Sequence, residues 1–242
     1  EPRFPFHPKP RKNQKEAYNE WVKKGKNGIF AMATGTGKTI TSLNCALEEF
    51  KLIKEYQLVI LVPTNALVSQ WVGEVTKFNF KNIILVNGQS NWQEKLVALK
   101  GDFEWGDTSN YVIISTYASF LNPAFIRNVN GVTTDNTILI ADEAHNIGAP
   151  KVKELFPELK VKKRIALSAT PTRAYDMEGN SAIEGFFNDS FHYCYSFSME
   201  RAIREGKLCP YCYYPIVVHL NEEEEEEYQK LTRALLYHYD SK

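Results

Sequence analysis

Apolar positions along the chain fall into short, nearly unbroken runs separated by stretches with helical spacing. Gly28 to Ala33, Leu58 to Val62, Asn82 to Val86, Tyr111 to Ser115, Thr137 to Ile140 and Arg164 to Leu167 read as strands. Lys38 to Phe50, Ala66 to Phe78 and Trp92 to Leu99 read as helices between them. Runs such as Leu58-Val-Ile-Leu-Val62 and Ile138-Leu-Ile140 lack polar alternation, which predicts burial on both faces of a sheet. Strand–helix alternation of this kind predicts an α/β fold with a parallel central sheet flanked by helices.

The pattern changes after Pro171. Residues 172–195 are rich in Gly, Asn, Asp and aromatics and predict loop with short helices. Met199 to Glu205 reads as a helix, Tyr213 to Leu220 as a strand and Glu222 to Tyr239 as a long helix. Phe186, Phe187, Phe191, Tyr193, Tyr195 and Phe197 offer rings for base stacking. The alternation of the last four equally suits a buried face, and burial is the expectation.

Composition narrows the class. The 242 residues are 43% hydrophobic and 24% charged, ordinary for a globular protein, with zero formal net charge. The charge is unevenly spread: Glu1 to Lys26 carries eight Lys/Arg against three Glu, and Lys151 to Arg173 is also basic. The balancing acid lies largely in Glu222 to Glu227, expected as a solvated helix face. No apolar run reaches bilayer length, and the opening Glu1-Pro-Arg-Phe-Pro-Phe6 has no signal-peptide character. Four cysteines do not form a secreted framework, so a cytoplasmic compartment is expected. Cys209-Pro-Tyr-Cys212, with His192 and Cys194 upstream, has zinc-ligand spacing, but a zinc site is not expected there.

Two segments carry chemistry. Met32-Ala-Thr-Gly-Thr-Gly-Lys-Thr39 follows a predicted strand and opens a predicted helix, the setting of a phosphate-binding loop. Gly35 and Gly37 permit the tight turn, and the N–H groups of Thr34, Thr36 and their neighbours then face an anion. Lys38 supplies charge for the β- and γ-phosphates of ATP and Thr39 a hydroxyl for Mg²⁺. The strict pattern asks for Gly where this chain has Met32. The second segment, Thr137-Ile-Leu-Ile-Ala-Asp-Glu-Ala-His145, ends a strand in paired carboxylates. Ligands of parallel sheets sit beyond the strands' carboxyl ends, which brings Asp142 to the phosphate loop as a Mg²⁺-side acid. Glu143 is then placed to orient or deprotonate the attacking water.

Together these segments resemble the first RecA-like domain of a superfamily-two helicase. Asp142-Glu143-Ala144-His145 matches the DEAH form of motif II, and Leu167-Ser-Ala-Thr-Pro171 matches motif III. Leu61-Val-Pro-Thr64, with Gln70 and Trp71 following, resembles motif Ia, and Ile114-Ser-Thr-Tyr117 resembles motif Ib. Pro10-Arg-Lys-Asn-Gln14 resembles the adenine-reading motif, of which Arg11 and Gln14 carry over while Lys12 and Asn13 depart from it. The segment Glu200 to Leu208, with Pro210-Tyr211, resembles restriction-type and repair-type DNA helicases.

The resemblance implies a RecA-like P-loop NTPase fold, ATP and Mg²⁺ as cofactors, and backbone contacts to nucleic acid, DNA before RNA. It implies that Pro63, Thr64, Thr116 and Tyr117 line the nucleic-acid track, although Thr64 and Thr116 taken alone read as helix caps. Ser168 and Thr170 would link that track to the nucleotide, with His145 between. The expected layout is 1–27 as an adenine-reading segment, 28–220 as the ATP-binding domain and 221–242 as an acidic helix leading to a second RecA-like domain. That second domain would supply an arginine finger, and nuclease or recognition subunits would be further partners; no membrane partner is expected. An RNA helicase and a nucleotide-sensing scaffold with little hydrolysis are the alternatives. The intact Lys38, Thr39, Asp142 and Glu143 argue against the scaffold.

Overall fold

The computed structural model describes residues 1–240 except 7, 8, 89 and 107–109. The chain divides into two compact units, Glu1–Leu208 and Cys209–Lys242.

In the first unit the elements follow in order: α1 (Lys12–Lys23), β1 (Asn27–Met32), α2 (Lys38–Ile53), β2 (Gln57–Val62), α3 (Asn65–Lys77) and β3 (Ile83–Val86). Then come α4 (Trp92–Trp105), β4 (Tyr111–Thr116), α5 (Tyr117–Phe120), α6 (Pro123–Asn130), β5 (Ile138–Asp142) and α7 (Pro150–Leu155). The unit closes with β6 (Lys163–Ser168), α8 (Met177–Phe187), β7 (Tyr195–Phe197) and α9 (Met199–Arg204). Local chemistry sets several helix starts: Asn122 accepts from Ala124 N with Pro123 beside it, Asp176 accepts from Gly179 N, and Ser198 accepts from Arg201 N.

The seven strands form one sheet in the order β3-β4-β2-β5-β6-β1-β7, and every pairing is parallel. The predicted parallel sheet is therefore present, and β2, β4 and β5 are buried along their whole length. Alternate residues feed two cores. Leu58, Ile60, Val62 and Ile140 pack with Trp21, Leu43, Leu47 and Trp71 on one face. Val59, Leu61, Leu139 and Ala141 pack with Leu96, Phe120, Phe125 and Phe156 on the other.

The aromatic segment is mostly buried, as expected. Phe187, Tyr195 and Phe197 are buried, Phe186 and Tyr193 are half-buried, and Phe191 is exposed, contrary to its place in the alternation. Phe191 escapes because pairing begins only at Tyr195, where β7 joins β1, and the turn before it obeys no strand period. Asp189 fixes this join: its buried carboxylate accepts from Ile29 N at 2.8 Å and Cys194 N at 2.6 Å and pairs with Lys24.

In the second unit, residues 209–221 have no regular structure and α10 spans Glu222–Asp240. The strand expected over Tyr213 to Leu220 does not form. A strand needs a ladder partner, and the described residues of this unit include no second extended segment to provide one. Asn221 and Glu224 cap α10 reciprocally, and the Glu run opens the helix with exposed acid where the dipole favours it.

One buried charge cluster ties the first unit together behind the site. Glu49 of α2 is 2% exposed and accepts from Lys26 and Lys163, each at 2.7 Å, and from Tyr18 at 3.1 Å. Burial pushes its carboxyl up, but hydrogen bonds from Lys163 and Lys26 outweigh that and hold it below the ordinary 4.5. A depressed folded value means that this stability is present above the unfolded value and is lost as pH falls through the folded one. Glu49→Ala is expected to cost about 3 kcal/mol, because two lysines are left without their counter-charge. Its penalty, measured by urea denaturation, should shrink as pH falls below the ordinary 4.5 through the lowered folded value; a penalty independent of pH would assign it to packing instead.

Candidate nucleotide and nucleic-acid site

Because all strands are parallel, their carboxyl ends share one rim, and the predicted site residues lie along it. Residues 33–37 leave the end of β1, Asp142 ends β5, Ser168 ends β6, and Thr64 and Thr116 sit at the ends of β2 and β4. β6 lies between β1 and β5, which sets the loop strand and the acid strand roughly 10 Å apart at two strand spacings.

The loop is built by its glycines. Gly35 and Gly37 have φ of 80° and 90°, values that a side chain would strain. Thr36 is buried and donates its hydroxyl to Ala33 O at 2.6 Å, closing the turn, while Thr34 and Gly35 are exposed. Met32 departs from the Gly pattern without harm, since it is the last residue of β1 and lies wholly in the core. Lys38 and Thr39 begin α2, whose first N–H groups have no helical partner and favour an anion.

Asp142 is 6% exposed, and both of its carboxylate oxygens are engaged. Oδ2 accepts from Trp71 Nε1 at 2.8 Å, and Oδ1 accepts from Glu143 N at 3.0 Å. Burial pushes its carboxyl above the ordinary value; the Trp71 N–H opposes that, and the neighbouring Glu143 charge adds to it. Tyr117 is buried and donates its hydroxyl to Asp142 O at 2.8 Å, so this hydroxyl serves the interior.

Glu143 sits in the left-handed region at φ 46°, which costs a non-glycine residue energy and aims its side chain along the rim. Its carboxylate lies 3.7 Å from Lys38 Nζ and 3.6 Å from His145 Nδ1. The two segments singled out in the sequence thus meet across β6.

Arg11 and Gln14 open α1, where Gln14 Oε1 accepts from Arg11 N at 2.8 Å. Gln14 is buried, and its Nε2 would stand 4.0 Å from a Cβ on Gly37. Arg11, Gln14, Gly35 and Gly37 line a cavity of about 790 Å³ together with Phe4, Phe6, Lys9 and Lys207. Those last four escaped the sequence reading: Phe4 and Phe6 sit in a proline-rich stretch with no periodicity, and Lys207 lies far away in sequence. Trp71 was visible only as part of motif Ia, with nothing to point it at Asp142.

The outer positions are more mixed. Thr64 is exposed and accepts from Leu67 N at 3.3 Å; Thr116 is buried and accepts from Ser119 N at 3.1 Å. Both threonines therefore do cap helices. Pro63 is half-buried. Ser168 is buried and its Oγ accepts from the N–H of exposed Thr170 at 3.1 Å. His145 lies in a short 3-10 helix, and its carbonyl accepts from Arg173 at 2.6 Å. Burial pushes the Cys194 thiol up to about 12. Cys209 and Cys212 are exposed in the second unit.

Residues 7–173 match the family described as "Type III restriction enzyme, res subunit". The chain belongs to this family. Among curated relatives of the ResIII domain, Putative helicase 22 of Sulfolobus islandicus filamentous virus is 29% identical over 149 residues, 61% of this chain and 25% of that protein. The DNA 3'-5' translocase XPB2 of Sulfurisphaera tokodaii is 29% identical over 161 residues, 66% of this chain and 30% of its own. The chain thus spans under a third of these relatives. Among solved structures, the Type ISP restriction-modification enzyme LlaBIII bound to DNA aligns with TM-score 0.62 and 20% identity over 82% of this chain and 16% of its own. The Sulfolobus solfataricus SWI2/SNF2 ATPase core in complex with dsDNA aligns with TM-score 0.56 and 24% identity over 78% of this chain and 37% of its own. The ResIII domain therefore has the RecA-like helicase fold that its motifs implied. No helix among the described residues is long and apolar enough to cross a membrane.

The strain at Glu143 is separable from its chemistry. Glu143→Gly is expected to raise stability by about 1 kcal/mol by relieving the left-handed backbone, seen as a melting shift of roughly 2–4 °C. A lowered melting temperature would mean that the contacts to Lys38 and His145 outweigh the strain.

Proposed function

We propose that this chain is the ATP-binding part of a DNA helicase or translocase of restriction, phage-defence or repair type. The observation that carries the reading is the approach of Lys38 to Glu143 at 3.7 Å beside a cavity of about 790 Å³ whose lining includes Arg11, Gln14 and the two loop glycines. The adenine end of ATP enters that cavity against Arg11 and Gln14, with Phe6 as a neighbouring ring. The phosphates lie on the amides of Thr34 to Thr39, with Lys38 at the β- and γ-groups.

Lys38 has to leave Glu143 for the phosphates. That exchange frees the Glu143 carboxylate to orient a water on the γ-phosphate, so the base is released only when substrate is seated. Mg²⁺ fits the residues present. Among the described residues no three or more His, Cys, Asp or Glu form a metal cluster. Magnesium is commonly held by one carboxylate, a hydroxyl, waters and substrate phosphates, which here means Asp142 and Thr39. When bound, it would withdraw charge from the phosphate oxygens. Two N–H donors occupy part of the Asp142 carboxylate, whose roughly four lone-pair sites leave others free.

In this reading Thr64, Thr116 and Tyr117 meet the nucleic-acid backbone chiefly through main-chain N–H groups, which position a strand without reading sequence, while Pro63, which has no N–H, lines the track by van der Waals contact alone. Ser168 ends β6 and Thr170 follows it, on the nucleotide side, and His145 follows β5, the neighbour of β2, so in this reading they link the nucleotide to the track. Residues 1–27 read adenine, 28–220 carry the ATP site, and 221–242 lead to a second RecA-like domain that provides an arginine finger. The similar structures, one bound to DNA and one in complex with dsDNA, favour DNA over RNA.

The test is ATP hydrolysis by the intact parent protein with duplex DNA, single-stranded DNA or RNA, using Glu143→Gln as control. Acceleration by duplex DNA, with the variant down about a hundredfold or more, is expected, and the 242-residue chain alone should turn over slowly. Acceleration by RNA alone would overturn the DNA assignment. Hydrolysis no faster than the variant under every condition would replace the motor by a nucleotide-sensing scaffold.

A further inference from the structure

Asp142 is held by two aromatic donors from two different helices. Trp71 in α3 donates its indole N–H to the carboxylate, and Tyr117 at the start of α5 donates its hydroxyl to the carbonyl of the same residue, each at 2.8 Å. Both rings are buried, Trp71 to 1% exposure. A buried indole needs an acceptor, and any main-chain carbonyl would serve. Here the acceptor is the carboxylate at the end of β5.

The two helices that carry these donors begin at Thr64 and Thr116, the caps at the rim ends of β2 and β4. Thr64 is exposed, and Trp71 follows it by seven residues, which is two turns and about 10 Å along the axis on nearly the same helix face. A two-turn helix is stiff over that distance, so a displacement at Thr64 reaches the indole N–H almost undiminished. One oxygen of Asp142 is already fixed by Glu143 N, so the position of α3 determines how the other oxygen is turned.

We propose that Trp71, supported by Tyr117, is a positioning residue that passes a shift of the α3 N-terminus on nucleic acid to the Asp142 carboxylate. The proposal rests on the reading above of Asp142 as the magnesium-side acid and Thr64 as a backbone contact. Nucleic acid at one end of the rim then tunes the acid at the other through a single hydrogen bond. Neither side chain touches the reacting atoms.

The test uses Trp71→Phe, which keeps a ring in the core and removes the N–H, and Tyr117→Phe, which removes only the hydroxyl. In the intact protein, Trp71→Phe should raise the magnesium chloride concentration for half-maximal ATP hydrolysis about tenfold, as expected for losing a hydrogen bond to a charged acceptor. The KM for ATP at saturating magnesium should change by less than about twofold, and acceleration by a mixed-sequence DNA duplex should fall towards none. Tyr117→Phe should shift the same quantities less.

A second readout is independent of turnover. With 5-fluorotryptophan in the 242-residue chain, Trp71→Phe assigns one of four ¹⁹F signals. That signal should move on adding the duplex without nucleotide, and again on adding magnesium chloride with ADP. The proposal is overturned if the Trp71 signal stays fixed under both additions. It is equally overturned if both variants, folded by thermal melting, keep wild-type magnesium dependence and DNA acceleration. Should Trp71→Phe not fold, the magnesium dependence and DNA acceleration of Tyr117→Phe decide. A wild-type protein that DNA does not accelerate, or a Glu143→Gln variant that hydrolyses normally, would instead refute the functional reading.

Discussion

Parallel pairing of all seven strands is the constraint on which the rest depends. It sends every strand's carboxyl end to one rim, so residues more than a hundred positions apart in sequence meet there without any dedicated scaffold. Inserting β6 between β1 and β5 then sets the spacing. Two strand widths separate the phosphate loop from Asp142, a gap that a long lysine and a glutamate aimed sideways from a left-handed backbone can just close. The rim's other half, at β2 and β4, is where the second ligand is proposed to lie.

Burial and charge are balanced differently at the two ends of the sheet. Behind the site, Glu49 is neutralised by two lysines and serves stability. At the rim, Asp142 is buried almost as deeply, but burial and the Glu143 charge outweigh its N–H donors and the charge of Lys38, and its carboxyl is raised rather than lowered. An acid held this way suits the magnesium-side role proposed for it. Glu143 adds backbone strain. The least stable local chemistry thus gathers where ATP is proposed to act, and the packed, ion-paired end of the sheet offsets it.

Much of this was legible in the sequence because the signals are local. Continuous apolar runs gave the six long strands, and Gly35-Thr-Gly-Lys38 and Asp142-Glu143 gave the two halves of the site. What depended on distant partners was hidden. β7 is three residues long and exists through its pairing with β1 and the Asp189 latch, neither of which has a period. Tyr213 to Leu220 has strand composition but no ladder partner among the described residues of its unit, so composition misled. The short helices between Tyr117 and Leu155 are set by caps such as Asn122, which weak periodicity concealed. Phe4, Phe6 and Lys207 reach the cavity from opposite ends of the first unit. The Trp71–Asp142 bond joins positions 71 residues apart.

The central claim is that the rim between β1 and β5 is a Mg-ATP site, and binding tests it more directly than turnover. Calorimetric titration of ATP with magnesium chloride into the 242-residue chain should give saturable binding. Lys38→Ala should weaken it about a hundredfold through loss of a charge-assisted phosphate contact. Equal affinity in the two proteins would place the nucleotide elsewhere and contradict the account.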